Sequence, residues 1–280
     1  MGAVALVLAL TGGASAFGAL TSESSANAAV TSAMTDAIGS RTATVSVSGS
    51  VSAGGQVLPV LGSGQLDFAS GASEMQMTIG NDSIGRIDES VIFDGDVLYF
   101  NLGDLISQMV PGKSWVSLDL SSVTGSGVAQ QLGPTGGLTT NDPAAVLRAL
   151  SEEGGVASDL GPSTVGGFPV EGYSVTLDPS AVRAALDRSG LPAWMKRITS
   201  QISDTGLSYR VYIDGSGQLR RLESDSTESA DGQTVATNET LDFSGYGETL
   251  TIAAPPSGKV VPFLTFVKIA NSEGSNSAST

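Results

Sequence analysis

The side chains of this chain that could do chemistry are serines, four lysines and a set of carboxylates, and their spacing activates none of them. A serine becomes a nucleophile only beside a base, and the 280 residues include no histidine and no cysteine. The base would have to be a lysine or a carboxylate. Lys113, Lys196, Lys259 and Lys268 are the lysines, and none stands three residues after a serine, so Ser117, Ser174 and their like lack the Ser-x-x-Lys arrangement. The acidic pairs Asp88-Glu89 and Glu152-Glu153 are candidates for glycoside hydrolysis by type alone. Adjacent acids on a strand point to opposite faces, however, and aromatics that could hold a sugar make up only 5% of the chain. Asp94-Gly95-Asp96 and Asp214-Gly215-Ser216-Gly217 open like calcium loops but never reach the closing Glu, so they read as hairpin turns. Gly62-Ser63-Gly64 and Gly125-Ser126-Gly127 lack a phosphate-binding strand-to-helix context and read as loops. These patterns predict no catalytic residue, no metal site and no cofactor.

Function then has to come from architecture, and the composition says which kind. Hydrophobic residues are 40% and charged residues 15%, a globular balance, while 36 glycines suit many tight turns between strands. Asp and Glu outnumber Lys and Arg 28 to 13, and the net charge of −15 repels phosphate backbones, which argues against nucleic acid as a partner.

Along the chain, Val30, Ala33, Met34, Ala37 and Ile38 recur at helical spacing and predict a helix from Ser25 to Gly39. Alternation follows. Val45, Val47 and Val51 interleave with serines, and Gln65–Phe68 and Met75–Ile79 continue the period of two. Val91–Phe100 is a hairpin about Asp94-Gly95, Asp104–Val110 a short helix, and Lys113–Leu120 another strand. Ser121–Thr140, rich in Gly, Ser and Thr, reads as a loop or lid. Helices are predicted after Asp142-Pro143 and Asp178-Pro179 and across Pro192–Ile202, with a strand through Tyr173, Val175 and Leu177 between them. Leu207–Ile213, Gln218–Leu222 and Val235–Phe243 form a closing meander. No composition break divides the chain, so the expectation is one domain over 29–265, followed by a disordered tail over 266–280.

Residues 1–28 read as a signal peptide or membrane anchor. Ala3–Leu10 has the length of an h-region, and Ala14-Ser15-Ala16 and Ala26-Asn27-Ala28 both fit A-x-A cleavage, although no basic n-region follows Met1. Either fate places the domain outside the cytoplasm, secreted or tethered at the envelope. Leu10-Thr11-Gly12-Gly13 is similar to a lipoprotein signal with Gly13 where the lipidated cysteine would stand.

The order of the later pieces carries a resemblance. "VIFDGDVLYFNLG" and "GKSWVSLDL", then "VGGFPVEGYSVTLDPSAVRAAL", "YRVYIDGSGQLRRLES" and "LDFSGYGETLTIAAPPSGKVV", resemble the actinobacterial envelope lipoproteins of the LppX/LprAFG family over about Ala29 to Val261. The resemblance implies an α+β fold: a strongly curved antiparallel β-sheet, a half-barrel similar to LolA and LolB, closed by several α-helices around an apolar cavity. It also implies a non-enzymatic carrier whose partners are the acyl chains of a lipid or lipoglycan, the membrane surface and an envelope transport partner.

Such a carrier needs a greasy lining rather than a motif. Burying one methylene contributes about 0.8 kcal/mol, so a sixteen-carbon chain gains on the order of 10 kcal/mol before the cost of association. The lining candidates are Leu66, Phe68, Met75, Met77, Leu98, Phe100, Val116, Leu118, Tyr209 and Val211, all on apolar strand faces. The same residues would serve equally as ordinary core beneath the helices. In that alternative the protein is a non-catalytic envelope interaction or sensor protein with a packed sheet and no ligand.

Overall fold

The computed structural model describes residues 22–83, 85–101, 104–119, 156–177, 207–230 and 233–269. Helix α1 (Ser22–Gly39) leads the chain. Twelve strands follow: β1 (Thr42–Ala53), β2 (Gln56–Asp67), β3 (Ala72–Asn81), β4 (Gly85–Asp94), β5 (Val97–Asn101), β6 (Trp115–Asp119), β7 (Val156–Val165), β8 (Phe168–Leu177), β9 (Leu207–Asp214), β10 (Leu219–Ala230), β11 (Gln233–Ser244) and β12 (Val260–Pro262). A second helix, α2 (Asp104–Met109), lies between β5 and β6, a single 3-10 turn (Ser257–Lys259) precedes β12, and residues 263 to 269 are helical.

All twelve strands belong to one sheet, in the order β12-β6-β5-β4-β3-β2-β1-β11-β10-β9-β8-β7. It is two meanders sharing a centre. From β1 the chain walks outward to β6; the later strands walk back from β7 to β11, which pairs with β1 in the register Val45↔Phe243 and Val47↔Leu241. The two ends of the order, β12 and β7, do not meet, so the sheet is unclosed. The expected all-antiparallel sheet needs one correction: β12 runs parallel to β6. Ser114 N donating to the Lys259 carbonyl and Lys113 Nζ donating to Gly258 hold the chain where it enters that strand, after a return too long for a hairpin.

Curvature follows from what α1 touches. It packs against β9, β10 and β1 and most extensively against β7, which lies five strands from β1. Flat, those five steps would span roughly 24 Å, about twice the width of a helix, so the sheet must wrap the helix to reach it from both sides. The buried stripe Ala26, Val30, Ala33, Met34 and Ala37 has the predicted helical spacing, and Val30 and Met34 are fully buried. Asn27 fastens the far wall, its Oδ1 accepting from Ala157 N of β7 at 2.6 Å. Because Ala26 and Asn27 are working parts of this helix, cleavage after Ala28 would cut through it, whereas cleavage after Ala16 would leave it whole.

Other expectations are corrected by the pairing. Gly62-Ser63-Gly64 is not a loop but the middle of β2. The helix over 263–269 carries Phe263, Phe266 and Val267 onto an apolar cluster, so packed chain reaches past residue 265. Several closing helices were expected; the described residues contain α1, α2 and the 263–269 segment. The lid Ser121–Thr140 and the helices predicted after Asp142, after Asp178 and across Pro192–Ile202 lie outside the described residues. Among the described residues no helix is long and apolar enough to cross a membrane.

Candidate functional site

Strand register builds the helix-covered, inner face row by row, because residues paired across neighbouring strands point the same way. One row runs Val211, Leu222, Leu241, Val47, Gly62, Met77 and Glu89 from β9 to β4. The next, toward α1's exit, passes Phe243, Val45, Gly64, Met75, Val91, Phe100, Val116 and Val261. On the other side lies Val175, Tyr209, Ser224, Glu239, Gly49, Val60, Ile79 and Ile87.

Two closed clusters occupy the flanks of this face, and a third, of Val51, Val60 and Ile79, lies on β1–β3. Under α1, Leu66, Phe68, Tyr209 and Val211 join Val45, Val175, Leu219 and Phe243 in one buried core. Under α2 and the 263–269 helix, Leu98, Val116 and Leu118 join Ile106, Val261 and Phe263 in another, with Phe100 against its edge. The Phe100 and Phe263 rings meet edge to face at 6.4 Å. Seven of the ten lining candidates therefore lie within these clusters, Phe100 and Met75 pack against the edges of the α2 and α1 clusters respectively, and Met77 stands between the two on β3.

That intervening band has its own character. Met75, Val91, Phe93 and Phe100 point inward yet are only half-buried. The floor beneath Met75 and Met77 is bare backbone at Gly64 and Gly62: a Cβ at Gly64 would strike the Met75 sulfur and one at Gly62 would lie 2.6 Å from the Gln76 carbonyl. At Gly49 an added Cβ would collide with the Asn238 carbonyl of β11. Glycine at these three places lets the central strands approach and coil, and leaves room for the methionines to lie across the sheet.

Two carboxylates share the face. Glu89 (8% exposed) stands at the β4 end of the Met77 row, and burial pushes its carboxyl above the ordinary glutamate range. Glu239 lies on β11 between Ser224 and Gly49, and burial pushes it up to about 7. Tyr209, on the same row, has its phenol raised by burial and secondarily by the charge of Glu239. Beside Glu239 the inner positions of β10 and β11 carry the buried hydroxyls of Ser224, Ser226 and Thr237, and the Ser226 Oγ has no hydrogen-bond partner among the described residues.

The outer face differs. Arg210 reaches Glu223 and Asp225, each at 2.8 Å, and Arg221 grips Asp242 at 2.6 and 2.9 Å, a ladder with its partners in place. Asp214 is likewise spoken for. Burial works against its charge, but hydrogen bonds from Ser216, Arg220 and Gln218 outweigh it and hold the carboxyl at about 2, which makes the Asp214–Gly217 segment a self-tied turn.

The pairing of Asp88 and Glu89 obeys the strand rule: Asp88 faces outward to Arg86 and Thr78, Glu89 inward. Sequence reasoning passed over Glu89 and Glu239 as inner-face residues. The signal was present in their parity, since Glu239 alternates in phase with Leu241 and Phe243, and Glu89 with Val91 and Phe93.

No family model matches the chain. It is 24% identical over 231 residues to an uncharacterized 31.2 kDa protein in the rplA-rplJ intergenic region of Streptomyces griseus, covering 76% of this chain and 72% of that one. In fold it is similar to LprF and LppX. The crystal structure of LprF from Mycobacterium bovis aligns at TM-score 0.43 and 12% identity, over 84% of this chain and 98% of that one. The Mycobacterium tuberculosis lipoprotein LppX aligns at TM-score 0.44 and 14% identity, over 83% of this chain and all of LppX.

Proposed function

We propose that this protein is a non-enzymatic, extracytoplasmic carrier that holds acyl chains of a lipid or lipoglycan along the inner face of its sheet, between the α1 cluster and the α2 cluster. The observation that carries the reading is the band of Met75, Val91, Phe93 and Phe100: large apolar side chains aimed inward by register, bordered by closed core on both flanks, and themselves half-buried. Protein interiors otherwise close-pack. An acyl chain laid over the methionines that cover Gly62 and Gly64 would finish the burial of these side chains. Met75 and Met77 supply an unbranched, adaptable surface for chains of differing shape. Leu66, Phe68, Tyr209 and Val211 on one side, with Leu98, Val116 and Leu118 on the other, form the walls behind this band rather than its contact surface. Loading and release would take place at the membrane surface, with an envelope transport partner receiving the cargo.

The test is an extraction. The protein is purified from its native envelope and its organic extract is examined by mass spectrometry, followed by uptake of a fluorescent acyl probe by the stripped protein. One lipid class at stoichiometric amounts, with saturable probe uptake, is the expected result. A clean extract together with no uptake would sink the reading in favour of a packed envelope interaction protein.

A further inference from the structure

Glu89 and Glu239 are out of place on an apolar face, and nothing described supplies their counterpart. Neither makes a hydrogen bond or an ion pair among the described residues, although every charged residue of the β9–β11 outer ladder has its partner. The helix laid over this face, α1, contains no Lys or Arg. The inner positions around Glu239 are Ser224, Ser226, Thr237, Leu241, Gly49 and Val60, and those around Glu89 are Met77, Ile87 and Val91. Glu89 is more than nine-tenths buried, and Ser226 Oγ is wholly enclosed without a partner. A buried polar group with no partner is costly, more so when it is charged, and native folds normally avoid it. A buried Glu89, a half-buried Glu239 and an orphan hydroxyl on one face are what remains when the complementary group belongs to a ligand.

Their placement says how a ligand would lie. Glu239 on β11 and Glu89 on β4 are four strand steps apart, roughly 19 Å along the curved sheet, with Gly49, Gly62, Met75 and Met77 between them. Glu89 thus sits within the apolar band, two residues from Val91 on β4, and Glu239 lies beyond the band on the β11 side.

Resting on the carrier reading above, we propose that Glu239 with the hydroxyls of Ser224, Ser226 and Thr237 forms one polar subsite of the trough, and that Glu89, roughly 19 Å away on β4, forms a second. Each receives a ligand group that donates hydrogen bonds and carries no negative charge, and phosphate-headed lipids are disfavoured. A carboxylate accepts from hydroxyl or ammonium donors, whereas a phosphate placed beside an ionised Glu89 or Glu239 would meet like charge and no cation among the described side chains.

The experiment is a displacement series on the full chain, using a fluorescent sixteen-carbon methyl ester as the bound probe and three competitors of equal chain length: monopalmitoylglycerol, hexadecylamine and hexadecyl phosphate. The phosphate is expected to displace at least tenfold more weakly than the other two, and the double variant Glu89→Gln with Glu239→Gln to shrink that gap to threefold or less. A larger loss for the amine than for the glycerol ester in the variant identifies the donor as an ammonium; equal losses identify hydroxyls. Equal displacement by the phosphate in the unmodified protein overturns the subsites, as does a gap that survives both substitutions. Failure of the methyl ester itself to bind overturns the carrier reading and the subsites with it, and so is distinguishable from a subsite failure.

Discussion

The α1 half of the sheet and the β2–β5 band are written in the same sequence alphabet but reach different ends. Beneath α1, the inward residues Val45, Leu66, Val175, Val211 and Leu219 are sealed. In the band, Met75, Val91, Phe93 and Phe100 point the same way and stay half-exposed. Alternation decides which side chains face inward. Whether they become core depends on whether a helix lies across them, and α1 reaches β7, β9, β10 and β1. The difference teaches that a period of two marks a potential core, and that a second element converts it into one.

The severest way to break the comparison is Met34→Asp, which drives an unpaired charge into the fully buried seam between α1 and the sheet. A loss of more than about 4 kcal/mol, seen as failure to fold or a collapse in denaturant midpoint, is expected. Leu66→Ala in the sealed half should cost about 2–5 kcal/mol by chemical denaturation, whereas Met75→Ala in the band should cost far less. Acyl-probe uptake should order these two variants in reverse, with Met75→Ala losing more; equal uptake losses would erase the distinction between core and trough.

Gly49→Ala tests the coil of the central strands. Its Cβ would collide with a backbone carbonyl that cannot rotate away, so a destabilisation of about 1–3 kcal/mol is expected.

The carboxylates sharpen the contrast through pH. Glu239 has a folded-state pKa near 7 against an ordinary value of 4.5, so folding favours its protonated form. Its contribution to stability is full below pH 4.5 and is lost as pH rises through about 7. Tyr209, its charged-capable neighbour on the row, ionises far above that window. Melting temperature recorded across this range should decline less steeply in Glu239→Gln than in the unmodified protein, and parallel curves would contradict the assignment. The smallest effect belongs to the exposed outer-face pair: Arg86→Ala, which breaks its contact with Asp88, should leave the melting temperature within error.

Much of the architecture could be read residue by residue. The stripe Val30, Ala33, Met34 and Ala37 announced α1, Asp94-Gly95 its hairpin, and the valine-serine alternation of 45–51 the central strand. Strand β7 escaped because as an edge strand it is mostly exposed, with a register shift between Asp159 and Gly161, so it shows no alternation. Gly62 and Gly64 were misjudged because glycine signals a turn locally, and only pairing with Met77 and Met75 shows it to be a bare floor.

By itself the sequence determined most of the strands, their inward parity and the covering helix, because these depend on neighbours within a few residues. Tertiary structure alone decided that β1 and β11, some 190 residues apart in the chain, pair at the centre of one sheet. It also decided that β12 enters parallel, that Glu89 and Glu239 face inward four strands apart, and which apolar positions are sealed. Those outcomes rest on contacts between distant segments, whose free energy depends on which surfaces meet rather than on any local pattern.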